Sequence, residues 1–261
     1  MIESDTLSAT TRVNAPIALA RERPHQQDTE PGYVLHAYAF KETSLVVELF
    51  TRNFGRMGLV AKGARRPASP LRGTLMAFQP LLLAWSGKSE LKVLHRAEWQ
   101  GGHAQLAGLP LICGFYLNEL LLKLMARDDP HPGLYGHYEA ALASLREGDP
   151  PATVLRRFER RMLAELGYGL VLTHDVHGEP LQADTTYFYS LERGPVDADE
   201  GSPAPDSPEL TGKALLDMDR DDYADAATLQ QARALMRYVV NHYLGGKPLH
   251  TRQLLREMQQ L

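Results

Sequence analysis

Between Gly32 and Trp99 five short apolar runs follow one another with little more than a turn between them: GYVLHAYAF, TSLVVELFT, RMGLVAKG, FQPLLLAW and ELKVLHRAEW. The connections are KE, NFG, the longer RRPASPLRG stretch and SGKS. Runs of this length, alternating or compactly apolar and punctuated by Gly, Asn, Pro and Ser, read as strands and turns. An open sheet of five such strands would carry two unpaired edges, whereas closing the sheet removes both, so a small barrel is predicted. The connection from Ala64 to Thr74, with three arginines and two prolines, is too polar and stiff for the interior and is placed on the surface.

After Gly101–Gly102 the apolar period becomes helical. Leu106 to Ala126 is strongly apolar but interrupted by Pro110, Asn118, Glu119 and Lys123. It therefore reads as a buried helix and not as the roughly 20 apolar residues a membrane span requires. Asp149-Pro150-Pro151 offers an N-cap and a first-turn proline to a second helix. In that helix Leu155, Phe158, Met162, Leu163 and Leu166 share one face, Arg156, Arg157, Arg160 and Arg161 fall largely off it, and Gly167 supplies the stop. Thr185–Leu191 reads as a strand and the Pro-, Asp-, Gly- and Ser-rich stretch from Arg193 to Pro208 as a loop. Thr228 is the expected cap of an amphipathic helix through Leu235, Met236, Val239, Val240, Tyr243 and Leu244, stopped by Gly245–Gly246. A last helix is expected over Thr251 to Gln260. The fold class is α+β: a five-stranded barrel of OB-fold type, then a mainly α-helical domain. The expected boundaries are 1–31 for a flexible extension, 32–101 for the barrel and 102–261 for the helical domain, with a strand and loop insertion near 183–211. The N-terminus has no continuous apolar core of a secretory signal, and the single cysteine, Cys113, excludes an intrachain disulfide, so a cytoplasmic protein is expected.

Charge is distributed unevenly. The chain as a whole has 28 Lys and Arg against 32 Asp and Glu, yet between Pro31 and Gln100 ten cationic residues face only four acidic ones. Arg52, Arg56, Lys62, Arg65, Arg66 and Arg72 make up most of that surplus, with Lys88 in the next turn. Lys and Arg on a small barrel neutralise phosphates and release condensed counterions, which gives salt-dependent, sequence-tolerant nucleic-acid binding. Tyr33, Tyr38, Phe54 and Trp85 lie in the same segment and are candidates for base stacking, though taken singly each reads more readily as core filling. The arginine pairs 156/160 and 157/161 stand one helical turn apart beside an apolar stripe, which suits an acidic peptide with a hydrophobic anchor. Ordinary surface arginines paired with Glu159 and Glu165 are the competing reading.

Signals for catalysis are weak. His174, Asp175 and His177 lie close together but lack further ligands, and read as a polar loop. Cys113 sits mid-helix among Leu111, Ile112 and Phe115 as a small core residue. Asp217, Asp219, Asp221, Asp222 and Asp225 lack the Gly and terminal Glu of a calcium loop and read as a solvated connection. No phosphate-binding loop, serine-hydrolase elbow or dinucleotide fingerprint is present. Neither an enzyme nor a cofactor is expected.

The residues YVLHAYAFKETSLVVELFTRNFGRMGLVAKGARRP, with LRGTLMAFQPLLLAWSGKSELKVLHRAE, resemble the N-terminal domain of the RecO family of bacterial recombination mediators. FYLNELLLKLM, LRRFERRMLAELGYGL and YLGGKPLHTRQLLRE resemble its helical part, so the likeness runs from about Tyr33 to Met258. The resemblance implies an OB-fold followed by a helical domain, binding of single- and double-stranded DNA, and annealing of complementary strands. It also implies action with RecR, and often RecF, to load RecA onto strands coated by single-strand-binding protein, whose acidic, hydrophobic C-terminal tail the helical domain contacts. By that likeness the barrel cations are DNA contacts, and Arg156 and Arg157 hold the acidic end of the tail, with Arg160 and Arg161 beside them. Some members carry four zinc-binding cysteines around the segment matching Leu172 to Pro180. This chain has Asp175 and His177 there and no cysteine, so it resembles the metal-free branch. The alternative is a generic OB-type RNA-binding protein.

Overall fold

The first strand, β1 (Gln26–Phe40), is long enough to serve two neighbours. In the computed structural model, which describes residues 26–258 apart from 202, its first half pairs with β4 (Leu81–Ser86) and its second half with β2 (Ser44–Thr51). Irregularities in register at Gln27/Glu30 and Val34/His36 bend it between the two partners. β2 continues antiparallel into β3 (Gly55–Ala61), and β3 meets β5 (Leu91–Trp99) in parallel register. β5 returns antiparallel on β4. The order β1-β2-β3-β5-β4 closes on itself as an OB-fold, and no edge is left exposed. Residues 26–31 were expected in a flexible extension but belong to β1; residues 1–25, the rest of that extension, lie outside the described residues.

Alternation along the strands makes two cores from one barrel wall. Val34, Val47, Leu49, Met57, Leu59, Leu81, Leu83, Trp85 and Leu94 point inward and fill the barrel, and Ala64 from the β3–β4 loop plugs it. The outward residues Tyr33, Leu35 and Phe50 join a second core built by the helices. Phe50 lies 5.4 Å from the ring of Tyr135 and 5.9 Å from that of Tyr138. Burying such a ring contributes about 3 kcal/mol at most. Asn118 secures the same seam, its amide donating to Leu35 O at 2.9 Å while Tyr138 donates to its carbonyl at 2.6 Å.

The helical half opens with α1 (Gly108–Leu124), α2 (Pro132–Glu147) and α3 (Pro151–Glu165). α2 was not anticipated. Its inward face is Leu134, Tyr135, Tyr138, Ala141, Leu142 and Leu145, a helical pattern whose tyrosines disguise it as polar. A small antiparallel sheet follows, β6 (Thr186–Ser190) between β7 (Gly194–Asp197) and β8 (Glu209–Thr211), so part of the expected loop is strand. Then come α4 (Gly212–Asp219), α5 (Ala226–Tyr243) and α6 (His250–Met258).

Several expected caps are replaced. Pro150, and not Asp149, takes the N-cap position of α3 with no side-chain cap, and Gly167 ends the turn with φ of 84°. Asp225 caps α5 by accepting from Ala227 N, while Thr228 lies inside the helix, buried, and donates to Asp217 at 2.8 Å. Part of the acidic stretch is therefore built in: Asp217 also accepts from Lys213, at 2.6 Å, while Asp219, Asp222 and Asp225 are exposed, as a solvated connection would have them. No helix among the described residues is long and apolar enough to cross a membrane.

Candidate functional site

The basic cluster that is continuous in sequence is divided by the fold between two ends of the barrel. Arg52 and Arg56 flank the β2–β3 turn, against the helical half. Arg56, expected at a DNA surface, is engaged inside the protein instead. Its guanidinium pairs with buried Glu48 at 3.4 Å and donates to Met125 O at 3.0 Å and to Leu122 O, so it ties the barrel to the end of α1. Arg127 completes that junction by gripping Glu48 and, at 2.7 Å, Glu90. Arg52 is half-exposed, pairs with Glu139 at 3.4 Å and lies over the ring of Tyr135. Phe50 of β2 and Arg56 of β3, on strands whose outer face serves OB-folds as an oligonucleotide platform, are thus engaged by the protein's own helical half.

Lys62, Arg65 and Arg66 lie at the opposite end, where the β3–β4 loop folds against the β1–β2 turn. Arg65 N donates to Thr43 O at 2.9 Å, and its side chain donates to Glu42 O at 3.2 Å. Arg72 follows on the same loop, which Leu71 and Leu75 pin to the barrel core. Lys88 stands apart from them in the β4–β5 turn, which the parallel register of β3 and β5 places at the other end of the barrel, beside the β2–β3 turn. All five side chains are exposed and none has a carboxylate partner among the described residues. Among the aromatics, Tyr33 and Trp85 are buried, whereas Tyr38 and Phe54 are exposed. Tyr38 stacks on His36 at 6.1 Å along the outer side of β1, on the half of the strand that leads to the basic end.

The four arginines of α3 do not act as one rail. Asp221, on the turn after α4, draws off three of them: Arg157 at 3.2 Å, Arg160 at 3.5 Å and Arg161 at 3.0 Å. Arg156 turns the other way and is buried, bonded at 2.8 Å to Glu159. Glu165, the other expected partner, faces His137 instead at 3.9 Å. Burial and nearby Arg161 hold the His137 imidazole below its usual range.

Arg156 opens onto a groove of about 400 Å³ between α1, α3, α5 and α6. Leu109, Leu155 and Leu229 supply apolar surface, and Arg233, Arg237 and Arg252 line it together with Arg156. Arg233 and Arg237 are exposed and without a carboxylate partner among the described residues. Cys113 also lines the groove; burial pushes its thiol up to about 11, so it serves packing. The sequence signal for this groove was available: α5 carries Arg233 and Arg237 one turn apart and has no acidic residue. The His174–His177 segment is a tight turn in which Asp175 accepts from His177 N at 2.8 Å and Glu179 N at 2.9 Å.

Residues 26–102 match the family model described as recombination protein O N terminal, and residues 107–253 match recombination protein O C terminal. The DNA repair protein RecO of Nitrosospira multiformis is 56% identical over 237 residues, which cover 90% of this chain and 98% of that protein. The DNA repair protein RecO of an Azoarcus species is 52% identical over 236 residues, covering 90% of this chain and 97% of the relative. That of Ralstonia nicotianae is 49% identical over 261 residues, covering 100% and 94%.

Proposed function

The chain belongs to the RecO family, and we propose that it is a recombination mediator in DNA repair that brings complementary strands together without a covalent step. The observation that carries this reading is the separation of two cationic surfaces, one at the end of the barrel and one in an apolar groove of the helical half. Lys62, Arg65, Arg66 and Arg72 hold single- and double-stranded DNA by their phosphates, which lowers the repulsion between two backbones and lets bases pair. Tyr38 offers a ring to an unpaired base beside them.

The groove takes the C-terminal tail of single-strand-binding protein. An acidic segment meets Arg156, Arg233, Arg237 and Arg252, and an apolar side chain enters between Leu109, Leu155 and Leu229. Arg157, Arg160 and Arg161, expected beside Arg156, are assigned to Asp221 and not to the tail. Docking on the tail concentrates the barrel on coated strands, where RecR, and RecF where it takes part, assist the loading of RecA.

Charge reversal separates the two surfaces. Arg233→Glu with Arg237→Glu is expected to abolish binding of an acidic tail peptide and to leave the affinity for naked oligonucleotide unchanged, both read by fluorescence anisotropy. Equal loss of both activities in a folded variant would contradict two separate sites.

A further inference from the structure

Behind the groove's lining, next to Arg156, lies a carboxylate where a site for an acidic ligand has least apparent use for one. Glu159 is fully buried on α3, and its Oε1 accepts from Arg156 Nη2 at 2.8 Å. The same oxygen accepts from the hydroxyl of Tyr116 on α1. Tyr116 in turn accepts from Arg252 Nη2 at 3.1 Å, and the Arg252 guanidinium lies 5.7 Å from the centre of the Tyr116 ring. Asn241 Oδ1 takes the other arm of Arg252 at 2.6 Å. One carboxylate therefore reaches an arginine of α3 directly and an arginine of α6 through a single hydroxyl.

We propose that Glu159 and Tyr116 are positioning residues that set Arg156 and Arg252 in a fixed pose for an acidic peptide, resting on the groove assignment above. Two arguments support positioning over simple ion pairing. A lone Arg156–Glu159 pair needs no tyrosine, yet the hydroxyl of Tyr116 links the pair to Arg252, which lies 136 positions from that tyrosine in sequence. The hydroxyl is also committed: burial, then the neighbouring Glu159 carboxylate, push it above the ordinary phenol range, so it stays a donor to Glu159 and leaves its lone pairs to Arg252. Preorganised arginines lose less side-chain freedom when a ligand arrives, which strengthens and sharpens recognition.

Electrostatics alone predicts the opposite sign. Glu159 cancels part of the positive potential of the groove, so its removal would tighten binding of any anion. If it positions the arginines, its removal weakens binding.

The test uses the full chain and a fluorescein-labelled peptide of four aspartates ending in a phenylalanine carboxylate. Tyr116→Phe keeps the ring and removes only the hydroxyl; it is expected to weaken binding about tenfold, the effect of one charge-assisted hydrogen bond. In an Arg252→Ala background the same change is expected to have no further effect, because the hydroxyl acts on the ligand through that arginine. Glu159→Gln is expected to weaken binding as well, with the melting temperature of each variant checked and affinity for duplex DNA at the barrel as internal control. Tighter or unchanged binding in Tyr116→Phe, or full additivity with Arg252→Ala, overturns the positioning role while leaving the groove assignment standing. Failure of the unmodified chain to bind the peptide overturns the groove assignment and this inference with it.

Discussion

Replacing Arg65 and Arg66 by alanine tests whether the barrel end carries the DNA contacts, and the salt dependence of binding gives the magnitude. Four exposed cations at that end, Lys62, Arg65, Arg66 and Arg72, have no carboxylate partner among the described residues. If all four meet phosphates, the slope of log K against log salt is about −3.6 on duplex and about −2.8 on single strands. Removing two contacts leaves slopes of about −1.8 and about −1.4. Between 50 and 200 mM salt, duplex affinity then falls about 150-fold for the unmodified chain and about 12-fold for the double variant. The substitution leaves the bond from residue 65 N to Thr43 O in place, so the loop keeps its anchor. The assay is anisotropy of a labelled duplex and of a labelled single strand, titrated at four salt concentrations. Arg56→Ala is the control: that guanidinium is spent on Glu48, Leu122 O and Met125 O, and its loss is expected to lower stability without changing the slope. An unchanged slope in the double variant, together with a reduced slope in Arg56→Ala, would refute the division of the basic cluster.

Three further outcomes follow from the geometry. Gly55→Ala is expected to cost more than about 1 kcal/mol in urea denaturation, because residue 55 has φ of 67° and a Cβ there would stand 1.9 Å from Asp129 O. Glu119 caps the start of α6: burial alone would raise its carboxyl, but bonds from Thr251, His250 N and Lys123 outweigh burial and lower it to about 2. A depressed carboxyl stabilises the fold above its unfolded value of 4.5 and loses that contribution as pH falls toward 2. Glu119→Gln is therefore expected to be less stable near neutrality, with a melting temperature that depends less on pH across that window. Asp221→Asn frees Arg157, Arg160 and Arg161 and is expected to steepen the salt dependence of non-specific DNA binding, read on the same duplex.

The barrel was legible because strand alternation and turn residues are local signals. All five runs became strands, and Val47, Leu49, Met57 and Leu59 took the inward positions that alternation assigns them. α2 was missed because its two tyrosines, Tyr135 and Tyr138, look polar in composition yet are fully buried. The site was less legible than the fold. A run of arginines records charge but not direction, and Arg52, Arg56, Arg65 and Arg66 separate only when β2 and β3 fold back on each other. Likewise Arg156 and Arg157 are neighbours in sequence, but one bonds Glu159 beside the groove and the other bonds Asp221, 64 residues away. Arg252 enters the groove from a helix that only tertiary packing brings to Tyr116.

The most direct test of a mediator with two surfaces is the rate at which this chain anneals complementary oligonucleotides precoated with single-strand-binding protein, without ATP, using the intact coating protein and one lacking its acidic tail. Acceleration that depends on the tail, and that Arg233→Glu with Arg237→Glu removes while annealing of naked strands persists, is the predicted result. Equal rates with and without the tail, or no acceleration despite salt-sensitive DNA binding, would contradict it.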